Sequence, residues 1–350
     1  MSARTLKQSM AASLFSLAFF ATPACAAEVV LRFGSINTEN TPAYQQVLLP
    51  FAKALEEDSG GRIEVALKPL GGYGKPAELF TMVEKGQIEM AASVQGYHPG
   101  RFPQSSVMEL PLMFENSIAG TEAMMKLYKE GLLDKDYASV KVLGLYVLPP
   151  YPIFTTGKKI QSVKDFRGLR MRTPSITVGV ALAKLGAIPL GIPLNMIGDT
   201  IASGYVDAIA YGWDSATTTK GAGGKFLADQ LSVVVDARLA APALMIVMNR
   251  AAWDKMPDDL KKIIEKHSSD IAMSSARIRE AQEAISKKKL QNDPRFTALT
   301  FNDEQRAELL RVTAPAVVEW KANMAKLGID GERLYARAKE LIQQYKVAAK

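Results

Sequence analysis

The sequence predicts an α/β protein built as two lobes with one long helix lying across both. Three observations carry this. Strand-like and amphipathic helical segments alternate in two series, one from Val29 and one from near Lys141. Such alternation implies crossover units and largely parallel sheets. About 320 residues remain beyond an N-terminal targeting segment, more than one ordinary core accommodates. Finally, a helical pattern from Pro257 to Asn292 of roughly 35 residues would reach about 50 Å, longer than one lobe needs.

The first series opens with Val29, Leu31 and Phe33 on one side of a strand and Arg32 on the other. A helix follows from about Ala43, with Val47, Leu48, Phe51, Ala52 and Leu55 on one face. Gly60-Gly61 ends it in the manner of left-handed caps. Ile63, Val65 and Leu67 alternate with Arg62, Glu64 and Lys68 as a second strand. Leu79, Phe80 and Val83 mark a helix, and Ile88 to Val94 a third strand. The second series has a strand at Val142 to Leu148. The stiff Pro149-Pro150-Tyr151-Pro152 is placed to cross between lobes. A helix at about Ser175 to Leu185 and short strands at Val206 to Ala210, Val233 to Val235 and Ala243 to Val247 complete it. In the long helical pattern Ile264, Ile271, Ile278 and Ile285 recur every seventh position. A coiled-coil seam would want leucines where His267, Ser268, Ser274 and Ser275 stand, so a helix across both lobes suits the pattern better. Two helices, around Asp303 to Leu327 and Gly331 to Tyr345, close the chain.

Arg4 and Lys7, an apolar run from Met10 to Ala21 and the small residues Ala24-Cys25-Ala26 read as a cleaved signal peptide over residues 1–27. Thr22 and Pro23 make lipidation of Cys25 the weaker reading. Cys25 is the only cysteine, so the mature chain would have no disulfide, thiolate metal site or cysteine nucleophile. The formal net charge is +7, with Arg4 and Lys7 supplying two of it. Basic residues are interleaved with acids, as in Lys261, Lys262, Glu265 and Lys266, which does not suit nucleic-acid binding. His98 and His267, the two histidines, lie too far apart for a metal pair. Neither a nucleophile elbow nor an oxygen-ligand cluster is recognisable, and Gly221-Ala-Gly-Gly224 lacks the Lys-Ser/Thr of a phosphate loop. No cofactor or metal is expected.

Several segments, in order, carry a resemblance. They are Leu31-Arg-Phe-Gly34, Ala54-Leu-Glu-Glu-Asp-Ser-Gly-Gly-Arg-Ile63, Val83-Glu-Lys-Gly-Gln-Ile-Glu-Met-Ala91, Glu109-Leu-Pro-Leu-Met-Phe114 and Ile160-Gln-Ser-Val-Lys-Asp-Phe-Arg-Gly-Leu-Arg-Met-Arg172. Leu185-Gly-Ala-Ile-Pro189 and Ile201-Ala-Ser-Gly-Tyr-Val-Asp-Ala208 follow. Together the chain resembles the solute-binding proteins of tripartite ATP-independent periplasmic (TRAP) transporters, of the dicarboxylate-binding type, over nearly its whole mature length. The resemblance implies the two-lobed periplasmic-binding-protein fold with a long helix spanning both lobes. Lobe I is expected at 28–149 plus about 238–277, and lobe II at about 150–237 plus 278–350. It implies a protein that captures an organic acid between its lobes in the periplasm, delivers it to the small and large membrane subunits of a permease, and catalyses nothing. A two-lobed periplasmic enzyme or a ligand-sensing protein is the alternative.

In that family the second arginine of Arg-x-Arg-x-Pro, here Arg172 of Arg170-Met-Arg172-Thr-Pro174, grips the carboxylate of the acid. A guanidinium offers the parallel N–H groups that match a carboxylate. Taken alone, Arg172 is one of several solvated charges with Lys164, Arg167 and Arg170. The strand ends expected to face the cleft add Tyr211, Trp213, Tyr97 and Tyr151 as stacking or hydroxyl groups, or as ordinary core. Asn37, Gln95 and Asn195 are candidate polar contacts or turn formers. Lys75 faces either the cleft or water. The chain departs from the family at Tyr211, where an asparagine is usual, and at Tyr151 and Pro152, where sialic-acid binders carry another arginine. Leu194 or Asn195 replaces a further aromatic. These changes point away from sialic acid and toward a more aromatic, less charged site, with Asp207 structural.

Overall fold

The computed structural model describes residues 27–221 and 224–348, with side chains to 345. The expected targeting segment through Ala26, Cys25 included, lies outside these residues. So do Ala222 and Gly223 of the glycine-rich loop.

Two sheets form the two lobes. The first contains β1 (Val29–Ser35), β2 (Ile63–Lys68), β3 (Met90–Val94), β4 (Val140–Val147) and a late strand, Ala243–Asn249. The second contains β5 (Ile153–Thr155), β6 (Arg170–Thr173), β7 (Ile188–Gly191), β8 (Ala208–Ala210), β9 (Val233–Asp236) and β11 (Thr297–Thr300); the late strand of the first sheet is β10. The orders are β2-β1-β3-β10-β4 and β11-β9-β5-β8-β6-β7. The parallel pairs are those expected of crossover units, but each sheet holds one strand running against its neighbours. β10 is antiparallel to β3 and β4, and β5 to β8 and β9. These are strands that follow a crossing. The chain leaves the first sheet after β4, passes the proline-rich segment and enters the second as β5. It returns between β9 and β10.

Four short strands escape the sequence periodicity. β5, β6, β7 and β11 have three or four residues each, too few alternations to register. β7 also carries Pro189, tolerated because β7 is an edge strand. The helix Ser117–Lys129 is likewise absent from the sequence reading. Its core face mixes small residues with only Met124 and Leu127 as large ones, and a Cβ on Gly120 would lie 2.6 Å from a Val147 methyl. Asn116 caps it, accepting from the Ala119 N–H at 2.8 Å. Gly60 and Gly61 adopt the positive φ expected of the cap after the first helix.

The long helical pattern is realised as Asp258–Ser268 and Ile271–Gln291, interrupted at Ser269-Asp270. The second piece packs on Ser117–Lys129 of the first lobe and on Trp213–Thr218 of the second, so it spans both. Glu280 accepts from the Ser117 N–H, and Glu283 from the Trp213 N–H. Its buried stripe is not the isoleucine heptad. Ile271 is buried and Ile278 half-buried, but Ile285 is exposed, while Ala272, Ser275, Ala276, Arg279, Glu283, Ser286 and Leu290 face inward. Asp303–Lys326 packs on Ile176–Lys184 of the second lobe. The last helix, Gly331–Ala348, lies on Ser117–Lys129 of the first, with Arg337 paired to Glu130 at 2.6 Å. This corrects the expectation that 278–350 belongs wholly to the second lobe. The turn at Leu327–Asp330 sends the chain back across.

Candidate functional site

Side chains alternate along a strand. On β6, Met171 and Thr173 therefore face one way and Arg170 and Arg172 the other. Arg170 sits at the outer end and is half-exposed; its backbone N–H and guanidinium both bind Asp207. That gives Asp207 a structural partner, and the Arg170 guanidinium holds its carboxyl below the usual range. Arg172, at the carboxyl end, is 1% exposed. Its Nε donates to the Ile192 carbonyl at 3.0 Å, Nη1 to the Ala210 carbonyl at 3.1 Å and Nη2 to the Tyr97 hydroxyl at 3.2 Å. All three acceptors are uncharged. A guanidinium has five N–H donors, so one remains on each terminal nitrogen. Arg172 is thus a buried cation with one N–H left over on each terminal nitrogen and, among the described residues, no carboxylate paired to it. A charge so placed is costly until an anion joins it.

Tyr97 belongs to the first lobe and Arg172 to the second, so their bond closes the gap between lobes. Around it lies a narrow cavity of about 40 Å³ lined from both lobes, by Asn37, Tyr97, Tyr151, Tyr211, Thr219 and Arg279 among others. The Tyr211 ring lies 5.5 Å from the Arg172 guanidinium carbon and 6.0 Å from the Tyr151 ring, centroid to centroid. The Tyr211 hydroxyl pairs with that of Thr219 at 3.0 Å. Burial raises both phenols, Tyr211 to about 12 and Tyr151 well above the usual phenol range, so each stays protonated and able to donate. The volume accommodates only a few water molecules. A larger solute can be admitted only if the lobes separate and close again around it.

A second groove of about 540 Å³ adjoins at Tyr97, between Pro99 of one lobe and Ile176, Val180 and Pro189 of the other. It is large enough for a small solute, but among the described residues no charged side chain lines it. Volume favours this groove and chemistry the narrow one. The narrow cavity is lined by Arg279, and two of its wall residues, Tyr97 and Tyr211, contact Arg172. A carboxylate needs a counter-charge more than space that a hinge can supply, so the narrow cavity is the candidate site.

The structure brings together Arg172, Tyr97, Tyr151, Tyr211 and Asn37. Four expected residues fall elsewhere. Trp213 is buried in the second-lobe core, edge-on to Phe154 at 5.5 Å. Asn195 is exposed in the turn Leu194–Met196, and its neighbour Leu194 lines the cavity instead. Lys75 is exposed on the first lobe. Gln95 is buried but turned into the first lobe, donating to the Tyr137 hydroxyl at 2.7 Å. Trp213 and Gln95 sit at element ends and Asn195 in a short turn, where a small offset redirects the side chain, and Lys75 lies in the loop between β2 and the helix Leu79–Glu84. His98 is buried against Phe80 and Phe102, bonds Ser93 at 3.0 Å and is pushed down to about 4 by burial. His267 pairs with Asp58. Among the described residues no group of three metal-binding side chains occurs.

Arg279 lies in the middle of the spanning helix. A charge there reads as solvated, and only the buried stripe reveals it. It is 7% exposed, donating to Asn37 Oδ1 at 2.6 Å and Asp214 Oδ2 at 3.2 Å. Among the described residues its Nε has no partner. Beside it Glu283 accepts the Trp213 and Asp214 N–H groups, its carboxyl pushed up to about 8 by burial.

Glu109 of the first lobe marks the other side of the closure. It accepts the Ala243 N–H at 2.9 Å and a bond from Ser175 of the second lobe. Burial pushes its carboxyl up to about 7. A carboxyl whose folded pKa exceeds its unfolded value binds more protons folded than unfolded. It costs nothing below about pH 4.5 and its penalty grows until about pH 7. Glu109→Gln is therefore expected to stabilise the protein by about 2–4 kcal/mol at pH 8 and by little at pH 5. Melting curves at the two pH values check this; an equal effect at both would refute it.

The family model described as bacterial extracellular solute-binding protein, family 7, matches residues 33–323. A solute-binding protein of Verminephrobacter eiseniae is 24% identical over 310 residues, 87% of this chain and 89% of the relative. A TRAP solute-binding protein from Rhodoferax ferrireducens T118, crystallised with copurified benzoate, superposes with TM-score 0.83 at 27% identity, over 92% of this chain and 99% of its own. A marine metagenome TRAP solute-binding protein specific for aromatic acid ligands, in complex with 3-hydroxybenzoate, gives TM-score 0.83 at 26% identity, over 91% and 99%.

Proposed function

This chain belongs to the bacterial extracellular solute-binding proteins of family 7, the TRAP solute-binding proteins, and we propose that its cleft takes a flat, aromatic monocarboxylate. The observation that carries the reading is the buried Arg172 guanidinium, bonded only to neutral acceptors. A carboxylate docking on its two remaining N–H groups supplies the missing charge in a site from which water is excluded. The rings of Tyr97, Tyr151 and Tyr211 line the cavity and suit the faces of a planar solute. The similar proteins bound to benzoate and 3-hydroxybenzoate support the same class.

In this reading the protein carries a signal peptide that is removed on export, works in the periplasm and catalyses no reaction. Closure around the acid creates the surface that the membrane subunits of the permease recognise.

A thermal-shift panel of aromatic monocarboxylates, aliphatic dicarboxylates and oxo-acids tests the ligand class. A ligand at a hundredfold excess over its Kd stabilises the protein by about 2.7 kcal/mol. Benzoate-type acids are expected to raise the melting temperature most. A shift confined to dicarboxylates would overturn the proposal, and native mass spectrometry of the purified protein would identify any acid it retains.

A further inference from the structure

We propose that Arg279 is a second ligand contact, which selects acids carrying an uncharged oxygen at the end remote from the carboxylate. The proposal rests on the reading of the cleft as a carboxylate site. Three observations lead to it. Arg279 lines the same cavity as Tyr97, Tyr151 and Tyr211, entering from the spanning helix. It is buried, and its Nε–H has no acceptor among the described residues. Leaving a buried charged donor unbonded is unfavourable, so an acceptor on the solute gains at this position.

The charges decide which acceptor. Arg172 lies against neutral groups only and takes the anion. Arg279 is already paired with Asp214, with Asn37 on its other terminal nitrogen. A second carboxylate there would face the carboxylate of Asp214 with no cation left to match it. A phenol, alcohol or keto oxygen accepts the Nε–H without adding charge. The two arginines thus divide the work. One holds the carboxylate, and the other distinguishes a hydroxylated or oxo-bearing acid from its deoxy counterpart.

Calorimetry of the mature protein with benzoate, 3-hydroxybenzoate, 4-hydroxybenzoate and isophthalate tests this. The wild-type protein is expected to bind one hydroxybenzoate about tenfold or more tighter than benzoate, the range of a bond to a charged donor, with isophthalate weakest. Arg279→Lys keeps a cation for Asp214 but removes the Nε–H, and should reduce the hydroxybenzoate-to-benzoate ratio to about threefold or less. A merely structural Arg279 would lower both affinities by one factor and leave the ratio unchanged. Equal wild-type affinities, tightest binding of isophthalate, or an unchanged ratio in the variant would each overturn the inference while leaving the carboxylate site standing. Should the wild-type protein bind none of the four acids, the aromatic reading and this inference fall together. The wild-type comparison holds even if the variant does not fold.

Discussion

Arg172→Ala is expected to weaken binding of the acid by about 2–5 kcal/mol, the cost of removing one partner of a buried charged pair, or roughly 30- to 4,000-fold in Kd. The reason is local. The guanidinium lies at the carboxyl end of β6, where the carbonyls of Ile192 and Ala210, both on its own lobe, fix its plane. An acid arriving there meets a pair of donors already oriented, so little entropy is lost in forming the bonds. Arg172→Lys should recover only part of the loss. An ammonium restores the charge but not the planar fork, and it leaves some of the three neutral acceptors unbonded. Calorimetry with benzoate, or with the panel acid giving the largest melting shift, measures both variants. Wild-type affinity in Arg172→Ala would sink the assignment. Because the cleft face of a lobe is not its core, both variants should retain the native circular dichroism.

Gly96→Ala is expected to weaken binding by a different route, through closure. Gly96 follows β3 on the first lobe and has no left-handed φ to require glycine. What it lacks is space. A Cβ there would lie 2.4 Å from the Pro174 carbonyl oxygen and 2.4 Å from Ser175 Cβ, both on the second lobe. Neither neighbour is the mobile end of a side chain, so the lobes themselves must yield. Overpacking of this kind costs about 1–3 kcal/mol, here charged to the closed form alone, which corresponds to roughly 5- to 150-fold weaker binding. The separated lobes feel no clash, so the ligand-free melting temperature should stay within a degree or two of wild type. Small-angle scattering with saturating acid should show a more extended molecule than wild type. Unchanged affinity together with full compaction would mean that the two lobes do not close on this seam.

These two positions differ in how visible they are beforehand. Arg172 stands out through Arg170-Met-Arg172-Thr-Pro174 and its neighbours, because the resemblance ties the proposed carboxylate contact to a local pattern. Gly96 is one of 25 glycines and nothing in the adjoining residues singles it out. Its importance arises from Pro174 and Ser175, which approach it only across the cleft. Arg279 is similar. On the helix surface it is one basic residue among many, and its burial depends on Asn37, 242 positions away in sequence.

From the chain alone came the α/β class, two series of crossover units, the crossing at Pro149 to Pro152, a helix long enough to span both lobes, and the expectation that Arg172 and its neighbouring tyrosines face the cleft. All of these depend on periodicity, length or local motif, which near neighbours in sequence encode. The tertiary structure decided the antiparallel β5 and β10, the return of the last helix to the first lobe, the withdrawal of Trp213, Asn195, Lys75 and Gln95 from the cleft, and the presence there of Arg279. Each of these is a matter of which surfaces meet after the chain has crossed between lobes. That is set by packing between residues tens to hundreds of positions apart, for which local pattern carries no signal.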